Sequence, residues 1–416
     1  VRRVYEQTEE SYDRIFAAGG KVAGEGLSAL TGDGHDLVVF NSLPWERTDI
    51  SMLDSPDGVC SVVDADGVEV PSRQAEGKLE FLATVPSVGY ATYRVVDRPP
   101  SHSAGVQVSE TGLENRFYRI ALDSEGLIES ILHKETGREL LTPGQRANIL
   151  RIYEDKPINW PAWDIDFFHA DKYEDITDLE SIRVGEPGPL YGWVRIARRY
   201  GNSRIVQRIV LYTDSPRIDF QTYVDWHEKE KLLRAVFPID VNADKARYEV
   251  QFGNVERPTH SNTSWDTARF EVCAHTWADL SEGGFGVSLL NDCKYGHSFR
   301  GSVMQLSLLR SPKAPDAEAD MGEHDCTYSL LPHAGDYIEA ETVRRAYELN
   351  LPLRVQSGSA GEAKSFLEID APNVMLEALK RAEKEDASIV RFCEFHNSRA
   401  AATVRIDLPF EKVWEC

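Results

Sequence analysis

From Leu37 onward apolar and polar positions alternate with a period of two, in runs such as LVVFN, GVEVPSRQ, LEFLATV and GYATYRVV that Gly, Pro and Asp separate. That period belongs to half-buried strands. Residues 1–30 differ: Val4, Ile15 and Phe16 stand apolar among many charges, which predicts a short helix ending at Gly19-Gly20 and a second short segment before Gly32. So little apolar surface cannot stand alone. A first β unit, residues 36–98, closes at the linker Arg98-Pro99-Pro100-Ser101. A second and longer one, about 106–365, holds FYRIALD, LIESILH, WVRIARRY, RIVQRIVLY, RIDFQTYVDW, RYEVQF, RFEVCAH and VMQLSLL, with no helical pattern long enough for a parallel crossover. This predicts a mainly β protein in which a small β-sandwich is followed by a large antiparallel sandwich. In residues 366–416, MLEALKRAE predicts a helical turn or two, and IVRFCEF and AATVRIDL predict strands that join an existing sheet, because a lone hairpin is marginal in water.

Composition narrows the function classes. Forty-six Lys and Arg against 68 Asp and Glu give a formal charge of -22, which repels phosphate backbones and anionic lipid, so neither nucleic acid nor a membrane is an expected partner. No apolar run approaches the roughly 18 residues a spanning helix needs. Cys60, Cys273, Cys293, Cys326, Cys393 and Cys416 lie far apart with no C-x-x-C spacing, which points to reduced thiols in a cytoplasmic protein. Asn262-Thr263-Ser264 matches a glycosylation sequon, but so short a match recurs by chance.

Two stretches gather candidate chemistry. YEDKPINWPAWDIDFFHADKY, residues 153–173, sets Trp160, Trp163, Phe167 and Phe168 among Asp155, Asp164, Asp166 and His169. A sugar ring stacks its C–H face on an aromatic plane and offers hydroxyls to carboxylates, though an aromatic loop packed on a sandwich has the same composition. Asp164 and Asp166, two apart on a strand, would lie about 6.6 Å apart on one face. That is within the carboxylate separations of about 5 to 9.5 Å that glycosidases use, but such groups must face each other across a bond, and strand neighbours point the same way. The second stretch ends in GFGVSLLNDCKYGHSFRG, residues 284–301, an apolar strand that delivers Asn291, Asp292, Cys293, Lys294 and Tyr295 to its own end. His260, His275 and His297 have no ligand partner at close spacing, so no metal site is assigned to this chain. No nucleophile elbow, phosphate loop or dinucleotide fingerprint is present.

VVFNSLPWERTDI, GLENRFYRIALDSEGLIESILHKETGREL, the WDID segment, FGNVERPTHSNTSWDTARFEVCAHTWADLSEGGFGVSLLNDCKYG and LLRSPKAPDAEAD together resemble the C-terminal half of glycoside hydrolase family 38 α-mannosidases, in the cytosolic, vacuolar and bacterial branch. Pro161 departs from that branch, which commonly has Asp before Ala-Trp-Asp. The resemblance implies a large galactose mutarotase-like supersandwich at 106–365, a small sandwich at 36–98, and a C-terminal β segment at 366–416 packing on both. Residues 1–35 would be the end of a helical bundle. It further implies that the nucleophile, the acid and the zinc or other divalent metal belong to an upstream catalytic domain. No residue of this chain then takes a catalytic or metal-binding role, and the chain alone is inactive. Its share would be one wall of a pocket for mannose-containing oligosaccharides, with Lys294, Tyr295 and Asp292 as substrate-binding candidates and Trp163 and Asp164 beside them. An exposed apolar face cut from that catalytic domain leaves self-association into a homo-oligomer open. The competing reading is a stand-alone carbohydrate-binding or mutarotase-like β-sandwich with a complete site of its own.

Overall fold

The alternation along residues 191–226 folds into three long antiparallel strands, Tyr191–Tyr200, Ser203–Tyr212 and Ile218–Trp226. A computed structural model describes residues 2–415 and divides them into two units.

The larger unit comprises residues 104–350 with the first turn of the N-terminal helix. Its nine-stranded sheet runs, in spatial order, Leu179–Val184, Tyr191–Tyr200, Ser203–Tyr212, Ile218–Trp226, Gly322–Ala334, Phe285–Asn291, Trp277–Glu282, Lys245–Val250 and Gly253–Pro258. A six-stranded sheet runs Tyr173–Asp175, Ile149–Glu154, Lys231–Pro238, Val303–Ser311, Gly296–His297 and Val272–Cys273. The pairings are antiparallel, as a fold without crossover helices requires. Phe220 and Tyr328 of the larger sheet stack at 5.1 Å, and Phe237 of the smaller one packs on them at 5.6 and 6.1 Å. These three aromatic side chains help to join the sheets within a larger apolar core. Tyr328 would leave a hydroxyl stranded there, but it donates to Asn148 Oδ1 (2.7 Å) and accepts from Gln207 Nε2 (2.6 Å). The polar group therefore enters the core without an unmet hydrogen bond.

The other unit comprises residues 7–103 and 351–415. Asp36–Asn41 pairs with both Gly89–Val96 and Arg354–Gly358, so a strand from the end of the chain completes a sheet begun at its start. A second sheet pairs Lys78–Val85 with Arg47–Asp54 and Ser72–Ala75. Leu37, Val39, Leu79, Phe81, Ala83, Val85 and Tyr93 fill the space between them.

Four local expectations are corrected. Residues 2–31 form one helix that runs through Gly19 and Gly20 without a break. The segment has no proline, nothing lies within 4 Å of either glycine's missing side chain, and glycine in an exposed helix costs only about 1 kcal/mol. Val374–Arg381 is a strand and not a helical turn, because Ser388–Glu394 pairs along it and Asn373 Nδ2 locks the base of the hairpin to Glu394 Oε1 (2.7 Å). Tertiary pairing overrides the helix-favouring composition. This hairpin pairs within itself, and Leu367–Ile369 pairs with Val404–Ile406, so neither extends a larger sheet. RFEVCAH keeps only the two-residue strand Val272–Cys273, since a short helix, Ser264–Ala268, with Thr263 and Asp266 in a capping box, takes the residues before it.

Candidate functional site at one end of the six-stranded sheet

The strand Phe285–Asn291 is buried at all seven positions, and its polar terminus is organised by Asn291. The Asn291 side chain donates to His275 O (2.9 Å) and accepts from Lys294 N (2.7 Å), closing a tight turn while itself only 1% exposed. The chain then crosses to the six-stranded sheet at Gly296–His297, where it pairs on both sides. Gly296 is required there: an added Cβ would lie 2.7 Å from Glu271 Oε1 and 2.9 Å from Ser307 Cβ.

Between these two anchors Lys294 is half-buried and Tyr295 is exposed. Among the described residues the Lys294 ammonium has no hydrogen-bond or ion-pair partner, and the Tyr295 hydroxyl has no hydrogen bond. The Tyr295 ring is steadied edge-on by His275 at 5.4 Å. Two donors on a rigid turn thus face outward unsatisfied. Desolvation, then the Asp292 carboxylate, push the Cys293 thiol up to about 12, which disfavours its thiolate.

The aromatic loop follows the strand Ile149–Glu154 and is clamped by one arginine. Arg310, on Val303–Ser311, donates Nε (2.6 Å) and Nη2 (3.2 Å) to the buried Asp155 carboxylate, and further to the carbonyls of Ala162 and Asp164. Trp160 and Trp163 meet edge to face at 6.5 Å and stay 67% and 71% exposed. The loop is a turn followed by a 3-10 helix, Phe167–Asp171, so the strand geometry expected for Asp164 and Asp166 is not formed. Asp166 turns inward to accept from Ile158 N (2.7 Å). Its carbonyl meets the His169 Nδ1–H at 2.8 Å, and the His169 ring packs on Tyr153 and Phe270. Burial, then the nearby Arg234, depress the His169 pKa and hold the ring neutral.

Strand register relates the two segments. Glu154 pairs with Lys231, Lys231 with Ser311, and Gly296 with Ser307, so the loop and the Lys294–Tyr295 turn leave the same end of this sheet. Three strand spacings, about 14 Å, separate their strands laterally, with Gly296 level with Ser307 and Glu154 level with Ser311, and Arg310 ties the loop to the strand next to Gly296–His297. The register thus sets the Trp163–Asp164 loop and the Lys294–Tyr295 turn at the same end of this sheet. Asp292, two residues before Lys294, accepts from Thr327 N (2.8 Å) and lines a cleft on the nine-stranded sheet. Sequence reasoning missed Asn291 and Arg310 as organisers. Arg310 in VMQLSLLRS was the available signal, a cation closing an apolar strand.

Residues 113–318 match the glycosyl hydrolases family 38 C-terminal domain, and residues 373–416 match the family 38 C-terminal beta sandwich domain. An alpha-mannosidase 2C1 of Homo sapiens is 36% identical over 435 residues, covering 100% of this chain and 40% of that protein. This chain carries the C-terminal domains of glycosyl hydrolase family 38. An alpha-mannosidase of Saccharomyces cerevisiae is 38% identical over 278 residues, 63% of this chain and 26% of that protein. The family 38 chain described here therefore spans 40% or less of the length of these curated relatives. A solved alpha-mannosidase from Enterococcus faecalis V583 superposes with a TM-score of 0.75 at 14% identity, over 91% of this chain and 53% of that one; at such identity the likeness speaks for the fold alone. Among the described residues no three or more His, Cys, Asp or Glu are grouped to hold a metal ion, and His169 and His297 are buried singly, so these residues do not fit the divalent metal of family 38 hydrolases.

Proposed function

We propose that this chain forms one wall of the substrate pocket of a retaining α-mannosidase acting on terminal mannose of oligosaccharides. The observation that carries the reading is the unpaired Lys294 ammonium and Tyr295 hydroxyl at the same sheet end as the exposed Trp163, in a chain with family 38 C-terminal domains. Lys294 donates a charge-assisted hydrogen bond to a sugar hydroxyl, Tyr295 a neutral one, and Trp163 offers an aromatic plane to the ring's C–H face. The Asp164 carboxylate accepts from a further hydroxyl. Nucleophile, acid and divalent metal are supplied by a catalytic domain outside these 416 residues. The cytoplasm is the compartment proposed, supported by unbridged Cys60, Cys273, Cys293, Cys326 and Cys393.

The test compares this chain with the full-length protein on an aryl α-mannoside, each with and without added zinc. The full-length protein hydrolyses it in a metal-dependent way and this chain does not. Turnover by the isolated chain contradicts the reading and favours a site complete within the β-sandwich.

A further inference from the structure

The outer face of the nine-stranded sheet bears a cleft of about 340 Å³, within the size range of small-molecule sites. Alternation builds it: Phe220 and Val224 of one strand enter the core while Gln221 and Tyr223 point the other way. Register aligns Arg195, Arg208, Gln221 and Thr327 in one row across four strands, with Val206, Tyr223 and Asp325 in the next. Asp292 closes the far end through its bond to Thr327 N.

The two ends of the cleft differ in charge. At one, Arg195 is half-buried and lies near three further cations, Arg183, Arg204 and Arg208. Arg208 is stacked over the Trp193 ring at 4.7 Å. The acidic group nearest in effect, Glu180, is already held by Arg204 at 2.8 Å and Arg199 at 3.3 Å. Among the described residues Arg195 has no hydrogen bond or ion pair from its side chain. A chain of net charge -22 thus keeps a partly desolvated guanidinium unneutralised beside like charges, an arrangement that costs stability unless an anion joins it. At the other end, about three strand spacings or 14 Å away, the exposed carboxylates Asp292 and Asp325 outnumber the one cation that acts on Cys326 between them, Lys294, and accept from hydroxyls.

We infer that this cleft binds a sugar-sized polyol bearing a single carboxylate or phosphate, with the anion on the Arg195 guanidinium and hydroxyls on Asp292 and Asp325. Lys294, Tyr295 and Trp163 do not line this cleft, although the Lys294 charge reaches Cys326, which does.

Calorimetric titration of the 416-residue chain with glucuronate, mannose 6-phosphate, mannose and inorganic phosphate tests it. At least one of the two anionic sugars binds about tenfold or more tightly than mannose, and more tightly than inorganic phosphate; which one does so identifies the anion. Arg195→Gln weakens that ligand about tenfold or more, and Asp325→Asn weakens it without weakening inorganic phosphate. Should the glutamine variant not fold, Arg195→Lys reads the same contact, because it keeps the charge and loses the two-pronged geometry, and it lowers affinity measurably. The inference is overturned if neither anionic sugar binds, if mannose binds as tightly as both, or if inorganic phosphate matches the sugar anion. It is equally overturned if a folded Arg195 variant, with unchanged Tm, keeps full affinity.

Discussion

The aromatic loop at 155–172 and the turn at 291–295 are built alike and use their polar residues differently. In the loop the acids do the anchoring: Asp155 grips Arg310, Asp166 ties Ile158 N, and Trp160 and Trp163 are left standing in solvent. In the turn the amide does it. Asn291 fastens the backbone, and the charged and phenolic groups, Lys294 and Tyr295, are what is left outward. The comparison teaches that a cluster of polar and aromatic residues contains both anchors and presented groups, and that burial separates them where composition does not. Anchors should matter to stability and presented groups to binding.

That division has consequences that can be measured. Asp155→Ala leaves the partly buried Arg310 guanidinium without its carboxylate, holding only the carbonyls of Ala162 and Asp164; the expected loss is about 3 to 5 kcal/mol in chemical denaturation, with faster hydrogen exchange in the 156–172 loop. Acidification is next. Burial lowers the His297 pKa from 6.5 to about 4, so between those values the unfolded chain binds a proton that the folded chain refuses. The stabilisation this gives is complete above about pH 6.5 and is lost as pH falls toward 4, amounting to about 3 kcal/mol. His169 and His133, whose pKa values are also lowered by burial, act in the same direction. His297→Gln should flatten the stability slope over that window; an unchanged slope would exclude His297 as its source. Asn291→Ala removes two hydrogen bonds made by a buried amide and should cost about 1 to 3 kcal/mol. Trp163→Ala, at 71% exposed, should change stability by no more than about 0.5 kcal/mol. A loss from Trp163→Ala equal to that from Asp155→Ala would erase the distinction.

Much of the fold was legible because alternation and apolar runs are local signals: the alternating stretches at 191–226 and the apolar one at 285–291 became strands. The errors came where a distant partner decides. MLEALKRAE has helical composition, and only its pairing with Ser388–Glu394 makes it a strand. The candidate site was legible in part for the same reason. Lys294 and Tyr295 could be marked because they end an apolar run, and Arg310 likewise closes one, but that it clamps Asp155, 155 positions away, is not written in local pattern. Nor does Asp292 announce that it turns to the other sheet. The Arg195 row needs register across three successive strand pairings, which no single strand records.

The central claim is that the turn at 291–295 presents Lys294 and Tyr295 to a sugar. Its most direct test is kcat/KM on an aryl α-mannoside for full-length protein carrying Lys294→Ala or Tyr295→Phe. Neither side-chain polar group has a hydrogen-bond partner among the described residues, Tyr295 is 55% exposed and Lys294 is partly buried, so the loss should fall on transition-state binding and not on folding. The account predicts decreases of about 5- to 150-fold, equivalent to about 1 to 3 kcal/mol, with Tm unchanged. Unchanged kcat/KM in both variants would contradict it and leave the turn as a strand terminus alone.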